Sequence, residues 1–150
     1  AATSANTNRF MQGLLEVAAG TGSSPVGFST TAYNLNPAEI IIGANAIQLV
    51  RGGLYRFTLS LNVEFLLAAV PASLPLLTVS LNAGSSTFRP VIKQPMILRG
   101  GSTYHAYSVT EFEIYIPDNT TISIGKSLSF AGSPTSITFD GILAGHLVAE

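Results

Sequence analysis

The 150-residue chain contains no cysteine, which removes disulfide frameworks, thiolate zinc sites and cysteine nucleophiles in one step. Charge is scarce as well. Only 10% of residues are charged, against about 25% in an average soluble domain, so Thr, Ser, Asn, Gly and apolar atoms must make up much of the surface. The 7 basic residues are scattered from Arg9 to Lys126 within a net charge of -1, and they form no basic stripe, which speaks against nucleic acid as a partner. No apolar run approaches the ~18–20 residues of a membrane helix. The longest candidate, Phe65 to Leu81, is interrupted by Pro71, Ser73 and Pro75. The start has neither Met nor a charged, apolar signal segment, so the sequence reads as a soluble piece of a longer chain with no membrane insertion.

Catalytic side chains are equally sparse. The two histidines are His105 and His146. His105 lies in the aromatic segment Ser102-Thr103-Tyr104-His105-Ala106-Tyr107-Ser108, which suits packing or an interface better than a site needing a hydrogen-bonded nucleophile and an orienting acid. His146 lies in an apolar terminal run and reads as a core or interface imidazole. No Gly-x-Ser-x-Gly nucleophile elbow occurs; the nearest string, Gly22-Ser23-Ser24, reads as a loop. Glu111 and Glu113 share a strand parity and could stand about 7 Å apart, as paired glycosidase carboxylates do, but two acids on a solvated strand face are ordinary. Asp118, Asn119 and Asp140 offer oxygen ligands without the dense spacing of a calcium loop and read as turn residues bonding their own backbone. The reading is therefore a non-enzyme with no metal and no cofactor. Asn119-Thr120-Thr121 matches the N-glycosylation triplet, which matters only in a glycosylating host.

What the sequence has in quantity is alternation. From Leu54 to Glu64, Tyr55, Phe57, Leu59, Leu61 and Val63 occupy one parity and Arg56, Thr58, Ser60, Asn62 and Glu64 the other, the period-two pattern of a sheet with one face on a core. Leu77, Val79 and Leu81 alternate likewise and run into Asn82-Ala83-Gly84, which tolerates a turn. Phe112, Ile114 and Ile116 alternate with Glu111, Glu113 and Tyr115 ahead of a Pro117-Asp118-Asn119 turn. Further short strands are expected at Val26–Tyr33, Ile40–Val50, around Ile122 and Ile124 up to Gly125-Lys126, at Leu128–Phe130, Ser136–Asp140 and Ile142–Val148. Long connections are expected near Val70–Pro75 and Arg89–Pro95. Residues 1–25 read as a linker or short helix, the latter from Phe10, Met11, Leu14, Leu15 and Val17, and residues 26–150 as one jelly-roll domain. Eight to ten short strands with Gly/Pro/Asn turns favour a sandwich over βαβ units. Tyr115 has the opposite parity to Phe112, Ile114 and Ile116, so it should leave the core, and a large outward tyrosine is an interface candidate.

Residues Ala46 to Val63, AIQLVRGGLYRFTLSLNV, resemble the signature of the tumour necrosis factor and complement q-component globular-head superfamily, with Gly53, Tyr55 and Phe57 matching its Gly-x-Tyr-x-Phe motif. Thr138-Phe139-Asp140-Gly141-Ile142-Leu143 is similar to the terminal aromatic-x-Gly strand of those domains, so Phe139 and Gly141 join the core motif. Within the superfamily, the likeness is greatest to bacterial exosporium domains, the C-terminal heads of collagen-like spore-surface glycoproteins and the related basal-layer protein. It spans roughly Val26 to the C terminus, although this chain carries no Gly-X-Y repeat. The resemblance implies an all-β jelly-roll sandwich of about ten antiparallel strands in two sheets, assembled as a homotrimer. It also implies an extracellular or particle-surface location, with coat proteins, basal-layer proteins or a host-surface ligand as further partners. Phe28, Tyr104, Tyr107, Tyr115 and His146 are the candidate trimer-interface residues. A phage or viral spike is the alternative setting for the same jelly roll.

Overall fold

Alternating apolar and polar side chains organise the chain into eleven strands among the residues that the computed structural model describes, 7–18, 25–66, 75–84, 86–100, 103–129 and 136–150. These are β1 (Arg9–Ala18), β2 (Phe28–Asn34), β3 (Ile40–Ile42), β4 (Ile47–Leu49), β5 (Gly53–Leu66), β6 (Leu76–Ala83), β7 (Ser86–Pro95), β8 (Ile97–Gly100), β9 (Thr103–Ile116), β10 (Thr120–Ser129) and β11 (Ser136–Ala149). A six-stranded sheet has the order β2-β1-β11-β5-β9-β8, and a five-stranded sheet the order β3-β4-β10-β6-β7. The pairings are antiparallel. Neighbours distant in sequence, β1 beside β11, β5 beside β9 and β4 beside β10, give the crossing connectivity of a jelly roll.

The two inner faces close on one core. Tyr55, Phe57, Leu59, Leu61 and Val63 of β5 are buried with Phe139, Leu143 and Leu147 of β11, and across the gap lie Leu77, Val79 and Leu81 of β6 and Ile122 and Ile124 of β10. Phe57 sits in an aromatic cluster, with ring centroids 5.9 Å from Tyr55, 5.6 Å from Phe112 and 6.5 Å from Phe10. Two glycines of the resembling motifs have a steric reason to be there. Gly53 has φ of 148°, and a Cβ on it would meet Ala149 O and Leu147 Cδ1 at 2.6 Å, so an L side chain is strained there on both counts. Gly141 lies in extended backbone, but a Cβ would collide with the carbonyl oxygen of Ser60 on the adjacent β5.

Several expectations are corrected. The segment read as a linker or short helix contains β1, whose Phe10 and Leu14 are core residues and which pairs with β11 along its whole length. Its apolar residues on both parities imitate helical spacing. Ile40–Val50 is not one strand but the hairpin β3–β4. Gly125-Lys126 does not close a strand: β10 runs on to Ser129, with Lys126 turned inward. The two strands expected at the C terminus are the single β11, and the Arg89–Pro95 connection belongs to β7. The connection expected near Val70–Pro75 lies outside the described residues, apart from Pro75.

Candidate functional site

The residues singled out for chemistry are engaged in structural contacts. Arg56 on β5 reaches across to both acids of β9, with Nη2 3.0 Å from Glu113 Oε1 and Nε 3.7 Å from Glu111 Oε1. The carboxylate pair therefore holds a guanidinium where a glycosidase would leave room for sugar and water. His105 Nε2 donates to Asn62 Oδ1 at 2.7 Å. Among the described residues no group of three or more His, Asp or Glu could hold a metal ion. Asp118 Oδ1 accepts the Gly52 N–H at 2.6 Å, and Asn119 takes φ of 55° in the turn between β9 and β10.

One end of the sandwich is tied by a polar network. The buried Asn8 donates through Nδ2 to Glu39 Oε2 at 3.1 Å and to Tyr55 Oη at 3.4 Å, and it accepts from Asn36 Nδ2 at 2.6 Å. Tyr55 in turn donates to the Arg51 carbonyl at 2.6 Å, and burial pushes its phenol pKa up, so it stays a neutral donor. The cleft beside this network, lined by Glu39, Val50, Arg51 and Asp118, holds about 200 Å³, and another beside Leu66 and Thr138 about 160 Å³. Both fall below the ~300–1,000 Å³ usual for small-molecule sites.

Extended surface is a different matter. Side chains of the parity opposite to the core leave the six-stranded sheet in cross-strand rows, among them Gly13–Ile142–Ser60–Val109 and Leu15–Asp140–Asn62–Tyr107. Tyr107, Val109 and Tyr115 are 62%, 58% and 64% exposed. Leu15, Val17, Leu66, Ile142 and Val148 are exposed on the same face. Strand alternation puts nine of the twelve exposed large apolar residues identified among the described residues there, Ile97 of β8 beside His105 included. On the outer face of the five-stranded sheet, β3, β4, β6 and β10 instead present Gln48, Thr78, Ser80, Asn82, Thr121, Ser123 and Ser127, with Ile41 and the half-buried Leu76 as the apolar members among the described residues of those four strands. Among the described residues the six-stranded sheet thus carries the larger share of exposed apolar side chains, interspersed with Ser60, Asn62 and Asp140, and concentrations of exposed apolar surface mark interaction sites.

The five candidate interface residues divide. Tyr107 and Tyr115 stand out on the apolar face, and His146 is half-buried there. Tyr104 does not: it is 2% exposed, its ring stacked 5.2 Å from Phe65 inside the sandwich. Phe28 packs against the core from β2. Tyr104 and Tyr107 have opposite parity on β9, a signal that separates them in the sequence itself. Sequence reasoning missed Leu15, Val109 and Ile142, because an apolar residue in a strand reads as core until the parity of its neighbours is fixed.

No family model matches the chain, and no curated protein matches it. Solved structures do. The globular domain of zebrafish complement 1qA protein aligns over 93% of this chain and 98% of its own, with 14% identity and a TM-score of 0.57. Eiger TNF from S. frugiperda aligns over 95% of this chain and 92% of its own, with 6% identity and a TM-score of 0.62. This is the complement C1q and tumour necrosis factor fold. In this C1q/TNF sandwich Tyr55, Phe57 and Phe139 fill the core between the sheets, and Gly53 and Gly141 relieve close backbone approaches.

Proposed function

We propose that the chain is a non-enzymatic surface head that self-associates as a homotrimer through the outer face of its six-stranded sheet. The observation that carries this reading is the concentration of exposed apolar side chains on that one face, centred on Leu15, Ile142, Val109 and Tyr107. Copies of the same chain suit it because its apolar side chains are interspersed with Ser60, Asn62 and Asp140 along the same rows and its charges, Arg56 with Glu111 and Glu113 at one end and Asp140 nearer the middle, are of both signs, so a like face can meet them. Obligate interfaces are richer in apolar contact than ordinary surface. The C1q/TNF fold supports the same reading, since the superfamily that the Gly53-Leu54-Tyr55-Arg56-Phe57 motif resembles implies trimers.

The resemblance to exosporium domains supports a setting on the bacterial spore surface, where a head of this kind would meet coat proteins or the environment. A virion spike is the competing setting, and immunogold labelling of spores separates them. Self-association is tested by placing a charge on each outer face in turn. Val109→Arg on β9 is expected to shift the light-scattering mass to that of a single chain, whereas Thr78→Arg on β6 leaves it unchanged. Equal masses for the two variants would remove the six-stranded face from the account.

A further inference from the structure

Both histidines of the chain leave the sandwich on the face assigned above to self-association, and they differ in their direct cross-strand partners. His105 on β9 faces Glu64 across β5 and Ile97 across β8, and its ring donates to Asn62. His146 on β11 has Arg9 of β1 and Arg56 of β5 as its two direct cross-strand partners, and Glu113 of β9 follows Arg56 in the same row, with Glu111 also held by that guanidinium. With a neutral imidazole, two arginines and two glutamates balance. A proton on His146 adds a third cation between two guanidiniums.

Resting on the trimer reading, we propose that His146 is an acid-sensitive release point: the assembly is favoured at neutral pH and loosens as this ring takes up its proton. The half-buried ring is already disfavoured as a cation in the single chain. Burial first, then Arg9 and Arg56, lower its pKa from the usual 6.5, against the weaker opposing pull of Glu111 and Glu113. Covering the face with another copy removes more of the water that screens these charges, which lowers the pKa again on assembly. The sign follows. A group whose pKa is lower in the assembled state than in the single chain leaves assembly unaffected while the single-chain ring is neutral and weakens it as pH falls through the single-chain pKa, itself below the usual 6.5. Each further unit of lowering per subunit multiplies the dissociation constant by about ten per proton once the ring is charged.

The test is sedimentation of the full chain over a dilution series at pH 7.5 and pH 5.0, with circular dichroism at both pH values to confirm the fold. The expected result is a dissociation constant at least about tenfold larger at pH 5.0 for the wild type. The ratio should be near one for His146→Gln and wild-type-like for His105→Gln. Arg9→Gln removes one flanking cation without altering the ring and is expected to shrink the pH effect. Wild type with the same association at both pH values, or a pH effect that survives His146→Gln, overturns the release point and leaves the trimer reading standing. Single chains at both pH values sink that reading itself.

Discussion

Replacing Lys126 by Met removes a charge from inside the sandwich and keeps most of the side-chain volume. The Lys126 side chain is 4% exposed, its Nζ lies 2.5 Å from Glu16 Oε1, and the same ammonium stands 5.2 Å from the centre of the Phe139 ring. Glu16 Oε2 meanwhile accepts the Gly27 N–H at 3.0 Å, so the pair joins β1, β10 and the segment leading into β2. At an effective dielectric of about 20, two charges this close attract by roughly 7 kcal/mol, and the desolvation of both ions offsets much of it. Removing one partner of a buried pair typically costs about 3–5 kcal/mol. The Glu16 side chain keeps 18% exposure and its Gly27 hydrogen bond, so the lower end applies, about 3 kcal/mol. Glu16→Gln in the Lys126→Met background should add little, which gives a coupling of at least about 2 kcal/mol in a double-mutant cycle. The assay is urea unfolding followed by tyrosine fluorescence, at one protein concentration because assembly contributes to stability. A Lys126→Met cost below about 1 kcal/mol, or additive single effects, would show that water reaches the pair and that it does not tie the sheets.

Further outcomes follow from burial and close approach. Phe57→Ala empties a fully buried aromatic site and should cost about 3–5 kcal/mol, whereas Thr58→Ala on the opposite face should cost less than about 1; equal values in urea melts would mean that the faces of β5 are reversed. Gly141→Ala forces β11 away from the Ser60 carbonyl and should cost about 2–3 kcal/mol, on the scale of overpacking, with unchanged stability contradicting the close approach. Tyr55→Phe leaves the Arg51 carbonyl and the buried Asn8 amide each short of a partner and should cost about 1–2 kcal/mol by thermal unfolding.

The parts of the fold that were legible are those where one face alone is apolar. β5 shows clean alternation because Arg56, Thr58, Ser60, Asn62 and Glu64 are all polar, and its buried face follows from that, whereas its pairing with β9 and β11 does not. β1 reads as helical because Met11, Leu15 and Val17 on its outer side join Phe10 and Leu14 on its inner side, and a strand apolar on both faces loses its period. The same double-sidedness that hides β1 identifies the face that water does not suit. The Glu16–Lys126 pair was out of reach for a different reason: the partners are 110 residues apart, and only the sheet order brings them together. Tyr107 and Tyr115 could be assigned outward from strand parity alone, and Tyr104 could have been assigned inward by the same rule.

In the proposed trimer, copies of the same chain cover the outer face of the six-stranded sheet. Sedimentation equilibrium of the purified chain at neutral pH and micromolar concentration tests it directly. The expected result is a single species at three times the 15.7 kDa of one chain, and a mass of one chain throughout that range rules the trimer out.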